Sequence, residues 1–308
     1  MLKVSRAVAE LVNPPVQIEA MTARREHGLA YLLRYWQILI LAALTLWLYW
    51  PTLVRLVQQW GSDQNFSHGY FVPLFSAFVI WQDRARLGTV QRRPSWTGLA
   101  LLVAGLSLLI VGQLGAELFL SRSSLLIVLA GSVVLFGGWS LFRALLFPWA
   151  FLFLMIPIPA IIFNQITFPL QILASQVAAA TLPLFGVPVL RQGNVMTLAS
   201  QVLQVAEACS GIRSLMSLVT LAIIYGYLME RRLWIRYVLA LAAVPVAVAA
   251  NSFRIISTGL MVEYWDPDKA EGYFHTSWGW IVFVISLLML YAVHAVIRRI
   301  ASQSGGEA

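Results

Sequence analysis

Runs of about twenty apolar residues recur along the whole chain, beginning with YWQILILAALTLWLYWPTLVRLV at Tyr35–Val57. Each is long enough to cross a hydrocarbon core of roughly 30 Å. The composition agrees: 60% of the 308 residues are hydrophobic and 11% are charged, too little polar surface for a water-soluble domain of this length. The sequence therefore predicts an all-α polytopic membrane protein.

The net charge of +8 does not point to nucleic acid. The basic residues form no patch with interleaved aromatics. They fall in short clusters between apolar runs, TARREHG, QDRARLGTVQRRPS, ERRLWIR and VIRRI, as lysine and arginine do when they hold loops on the cytoplasmic side. Residues 1–34 are expected to form a cytoplasmic tail with an interfacial helix near TARREHGLAYLLR. This polar lead precedes a full-length span, so no cleaved secretory signal is expected. A single transmembrane domain follows over 35–297, then a short cytoplasmic tail, 298–308. Spans are expected at about Tyr35–Val57, Gly69–Trp81, Trp96–Leu114 and Ser123–Leu141, with a fifth after Arg143. The last three fall at Gly211–Met229, Leu233–Ile256 and Ser277–Ile297. Keeping the arginine-rich loops on one side requires an even number of crossings between Arg143 and Glu230. The stretch Asn164–Pro188, with Pro169, Pro183, Pro188, Gln165, Gln171 and Gln176, is therefore expected to be re-entrant or interfacial. The count is about eight spans with both termini cytoplasmic. VLRQGNVMTLASQVLQVAEA alternates apolar and polar residues around a Gly-Asn turn, which predicts a small β-hairpin on the outer face.

This topology gathers Asn65, His68, Glu117, Glu207, Cys209, Arg213, Asn251, Arg254, Glu263 and His275 on the outer side. Cys209 is the chain's one cysteine and forms no intrachain disulfide. It precedes a helix starting near Ser210 or Gly211, where free N–H groups, the helix dipole and the arginines Arg213 and Arg254 favour a thiolate. The alternative is an inert small hydrophobe. Arg254 reads as lying near the end of a membrane helix, either as a functional cation or snorkelling to headgroups. Asn251 shares its face at i, i+3 and could help hold developing negative charge, glue two helices or cap one. His275, at the start of the last span, is a proton-transfer group or an aromatic-belt residue among Tyr273, Phe274, Trp278 and Trp280. His68 is a rival base. Zinc on Cys209, His275 and His68 lacks any ligand pair preset by HExxH or CxxC spacing. No GxSxG elbow, phosphate loop or clear inverted repeat is present. Neither metal nor cofactor is expected.

At EACSGIRSL, NSFRI and HTSWG, in that order on successive outer helix ends, the chain resembles the exosortase/archaeosortase family. NFSHGYFVPLFSAFVIWQDR is similar to the family's N-terminal signature, so the resemblance runs from about Gln37 to Arg298. It implies a prokaryotic membrane cysteine transpeptidase or protease acting on proteins with a C-terminal sorting signal. In the bacterial branch that signal is a Pro-Glu-Pro motif, a membrane helix and a basic end. The resemblance places the family's catalytic cysteine, arginine and histidine on Cys209, Arg254 and His275. The mechanism it implies takes Asn251, Ser210, Gly211 and Arg213 as supporting or oxyanion-binding residues. The implied setting is a bacterial inner membrane with a periplasmic active site, in exopolysaccharide-linked surface assembly. The implied partners are sorting-signal proteins and the lipid bilayer, not nucleic acid. The sequence assigns no oligomeric state. A reading from another class also stands: a non-catalytic scaffold or carrier for exopolysaccharide export, with Arg254 and His275 binding an anionic lipid-linked glycan.

Overall fold

In the computed structural model, which describes residues 15–204, 211–264 and 273–303, the basic lead and the first apolar run form one unbroken helix, α1 (Pro15–Ser62). The expected interfacial helix is thus continuous with the first span. A 3₁₀ turn (Gln64–Tyr70) leads into α2 (Phe71–Gln82) and the short α3 (Arg84–Thr89). Helices α4 (Thr97–Leu114) and α5 (Leu118–Ala144) form a hairpin. After α6 (Leu146–Phe151) and a second 3₁₀ turn, the chain breaks at Ile156–Pro159 before α7 (Ala160–Thr181). Three short strands follow, then α8 (Gly211–Met229), α9 (Leu233–Tyr264) and α10 (Tyr273–Gln303).

The all-α class stands, but the count differs. Six helices among the described residues, not eight, are long and apolar enough to cross a membrane: α1 from Trp36, α4, α5, α7 with the turn after it, α9 and α10. The expected second span is α2, whose twelve residues reach only about 18 Å. The expected fifth span is divided, because Pro157 and Pro159 interrupt helical hydrogen bonding where it was to run on. The stretch expected to be re-entrant or interfacial is instead mostly continuous helix. α7 carries Pro169 inside it and, to Phe185, has the length and composition of a span. Proline is tolerated in apolar helices where neighbours re-satisfy the freed backbone groups.

Close packing of α4 on α5 rests on glycine. A Cβ on Gly98 would fall 2.2 Å from the Leu135 nitrogen, and one on Gly131 would fall 2.8 Å from the Leu102 nitrogen. Small residues let two backbones approach in a medium that supplies no hydrophobic drive between helices. Near its end α5 kinks at Gly138 (φ 79°), and the loop before α4 fills the gap: Arg93 N–H donates to Gly137 O and Ser95 N–H to Val134 O, both at 3.2 Å.

The expected hairpin is present and extended by one strand. β1 (Leu190–Gln192) and β2 (Val195–Thr197) pair antiparallel around Gly193–Asn194, with Gly193 at φ 66°, and β3 (Val202–Gln204) pairs with β2. Met196, Leu198 and Leu203 of the sheet region pack with Ala174, Ala178, Leu182 and Ile255, so the sheet rests on α7 and α9.

Arg86, Arg143 and Arg236 border one cavity of about 650 Å³ together with Asp83, so the ends of α2 and α5 converge on the start of α9. At this basic end Glu230 Oε1 lies 2.8 Å from His294 Nε2 and 3.3 Å from Arg298 Nε, and the Tyr225 hydroxyl lies 2.6 Å from His294 Nδ1. Glu230 and His294 are both buried. The Arg232 guanidinium donates to Ala301 O at 3.4 Å, placing the end of α10 here as well. The end of α9 and the start of α10 therefore meet at the opposite end.

Candidate functional site

Arg254 projects from the interior of α9. The helix runs on to Tyr264, ten residues further and about 15 Å along its axis, so Arg254 is not at a helix end as its sequence context led one to expect. At 7% exposure its side chain is not snorkelling. It faces α10: a methyl group on Gly279 would lie 3.9 Å from an Arg254 terminal nitrogen and 4.0 Å from its Cζ. Gly279 follows His275 by four residues, and residues at i and i+4 share a helix face. The Arg254 guanidinium therefore lies against the face of α10 that begins with His275.

Two contacts hold α9 and α10 in this register. Trp278 Nε1–H donates to Ser257 Oγ at 2.7 Å, and the Trp278 ring stacks on Phe253 at 6.5 Å. Ser257 Oγ in turn donates to the Arg254 carbonyl at 2.9 Å. Trp278, read from sequence as an aromatic-belt residue, is thus part of the joint beside Arg254.

Asn251 is buried one turn before Arg254, also in the helix interior, so it does not cap α9. Its Oδ1 has no hydrogen-bond partner among the described residues. It borders a cavity of about 20 Å³ shared with Thr167 and Gln171 of α7, room for about one water. Gln171 Oε1 accepts from Asn194 Nδ2 at 3.2 Å, tying the hairpin turn to α7 beside Asn251. Gln171 was read from sequence only as a mark of a re-entrant or interfacial stretch, and Thr167, four residues before it, was not singled out.

Cys209, Ser210 and Glu207 lie outside the described residues. Gly211 and Arg213 belong to the first turn of α8, and His275 to the first turn of α10, with the backbone alone described. Glu263 accepts from Ser200 Oγ at 3.1 Å, fastening the loop before β3 to the end of α9.

Asn65 and His68 lie on the 3₁₀ turn after α1, which packs against α8. His68 is buried and its Nε2 lies 3.1 Å from Leu154 O. Burial holds the imidazole below its ordinary pKa, with the backbones of Leu154 and Asn65 pulling the other way. The Asn65 backbone acts at a distance, since His68 Nδ1 makes no hydrogen bond of acceptable geometry.

Helices carrying a buried guanidinium, a buried amide and a histidine-bearing face at one end of an apolar bundle define a polytopic membrane protein with a polar site at that end. The family model described as "Transmembrane exosortase (Exosortase_EpsH)" matches residues 60–292, three quarters of the chain, and the protein belongs to that family. No curated protein and no solved structure matches it.

Proposed function

We propose that this exosortase-family protein is a membrane-embedded cysteine transpeptidase or protease that removes the C-terminal sorting signal of exported proteins. The observation that carries the reading is the buried Arg254 guanidinium lying against the α10 face that starts at His275. Chain connectivity supports it. Leu203 of β3 packs with Ile255, the residue after Arg254, and α8 starts at Gly211. Cys209 is five residues from Gln204, a reach of at most about 18 Å.

In this reading His275 takes the Cys209 proton and the thiolate attacks the scissile carbonyl. Arg254, Asn251 and the N–H groups of Ser210 and Gly211 hold the oxyanion, with Arg213 adding positive potential. His275 then returns the proton to the leaving amine, and the acyl group passes from sulfur to water or to an amine or hydroxyl acceptor. The basic end of the bundle is the cytoplasmic side by the positive-inside rule, which puts the site on the outer face of the inner membrane.

The test is co-expression with a reporter ending in a Pro-Glu-Pro motif, a membrane helix and a basic tail, followed by immunoblot. Wild type is expected to trim the tail. Cys209→Ala and His275→Ala should accumulate full-length reporter at normal expression, and Arg254→Ala should slow trimming by about 10²–10³. Trimming by Cys209→Ala would end the thiol mechanism.

A further inference from the structure

Arg122 lies in α5, is 3% exposed, and its Nε has no hydrogen-bond partner among the described residues. A guanidinium carries five N–H donors and does not shed its charge, so burying it without an anion is costly. Glu117 acts on Arg122 through its charge but makes no ion pair with it among the described residues, and its Oε1 caps α5 by accepting from Phe119 N–H at 3.0 Å. Arg122 borders a cavity of about 360 Å³ that Arg55 and Thr52 of α1 also line, together with Gln113 and Ser121. The lining holds two cations, two hydroxyls and an amide, and no acid. It sits where α4 ends and α5 begins, opposite the basic end, against the trend of most arginines in the chain.

The same α1–α5 interface holds the buried Tyr49–Ser124 hydrogen bond of 2.8 Å and also lines a second space of about 490 Å³. This one is walled by Leu41, Leu46, Leu53, Leu125 and Leu129, with Arg92 also on its lining. α1 is the least embedded of the candidate spans, with 6% of its apolar window buried, so the trough opens sideways towards the bilayer. We infer that this interface binds one anionic phospholipid. Its phosphate sits between Arg55 and Arg122 and an acyl chain lies in the leucine-walled trough. Arginine pairs hold phosphate through fixed, forked donors. None of these residues belongs to the proposed peptidase site, so the inference is independent of that activity.

The test uses the purified full chain in detergent, titrated with phosphatidylglycerol or phosphatidylcholine of matched chains, with bound lipid counted by native mass spectrometry. Wild type is expected to prefer phosphatidylglycerol by about tenfold or more, the scale of two arginines facing one phosphate. Arg122→Gln and Arg55→Gln should each cut that preference several-fold. Arg55 is exposed, so its variant tests the site even if Arg122→Gln does not fold. Equal binding of the two lipids by wild type, or an unchanged preference in Arg55→Gln, overturns the inference. Inorganic phosphate is the second probe. Failure of millimolar phosphate to displace the lipid supports a headgroup site, whereas Arg122-dependent displacement reassigns it to free phosphate. An acidic sorting-signal peptide that binds through Arg122 without any lipid preference would overturn the lipid in favour of peptide.

Discussion

Asn251 shows how a single buried atom separates a structural role from a chemical one. Its Oδ1 has no partner among the described residues, so the fold gains little from the amide. Asn251→Ala is expected to leave thermal unfolding within about 1 kcal/mol of wild type. Reporter trimming should slow by about 10²-fold if the amide helps hold an oxyanion. A variant that unfolds early and trims at the residual folded fraction would make it a packing residue. His68 leads to a pH prediction. Its folded pKa lies below the unfolded value of about 6.5, so the unfolded chain takes up the proton first as pH falls. Stability contributed by the neutral ring is complete above about pH 6.5 and is lost as pH drops from there towards the folded pKa. Thermal unfolding from pH 7.5 to 5.5 should show the decline, and His68→Gln should flatten it. Among individual residues the sequence made the identities of Arg254 and Asn251 visible but misplaced their depth. Helix α9 passes through the polar ISTG stretch that had looked like its end, because Ser257 turns its hydroxyl back to the Arg254 carbonyl and stays helical.

At the scale of elements, long uninterrupted runs were legible and short ones were not. Thr97–Leu114 matches its expected span almost to the residue, since a run of eighteen apolar residues in a bilayer has one solution. The α2 segment was misread because a short apolar run was counted as a span, and the α6 segment because its run was carried through Pro157 and Pro159. The α7 segment was misread because its prolines and glutamines were taken to argue against a crossing. Pro169 is accommodated inside α7, whereas Pro157 and Pro159 together do break the chain. The two strands of the hairpin could be read from alternation and a Gly-Asn turn. The third strand was not separated out, because it lies in the same alternating stretch and no turn signal like Gly193–Asn194 marks it off. The α4–α5 contact yields the element-scale prediction. Gly98→Val drives Cβ into the Leu135 backbone, which cannot move aside as a side-chain tip can. It is expected to destabilise the bundle by about 1–3 kcal/mol or more, read as a lower unfolding midpoint in detergent. Gly88→Val, where a Cβ meets nothing within 4 Å, is the control and should be neutral in packing.

Across the whole molecule, the two ends of the bundle are built differently. At the basic end the connection from α8 to α9 is clamped to α10 by Glu230, which faces His294 and Arg298 while Tyr225 braces the imidazole. Glu230→Ala leaves the buried His294 without its carboxylate partner, whereas Arg298 is exposed, and should cost about 1–3 kcal/mol. His294→Ala, which keeps the Arg298 contact, should cost less, and unfolding midpoints of the two variants check the order. Charge clusters made this end visible in the sequence, but not the pairing within it, because Glu230 and His294 are 64 residues apart.

The glycine-sealed α4–α5 hairpin is built from contacts between neighbours in the chain, joined by a turn of three residues. Local contacts form fast, and a chain emerging from the ribosome completes its early units first. This hairpin can be finished while α9 and α10 are still being made. The site's helices are then added to a settled frame, and a mutation that slows that hairpin should lower the yield of working protein without altering the chemistry of those molecules that do assemble.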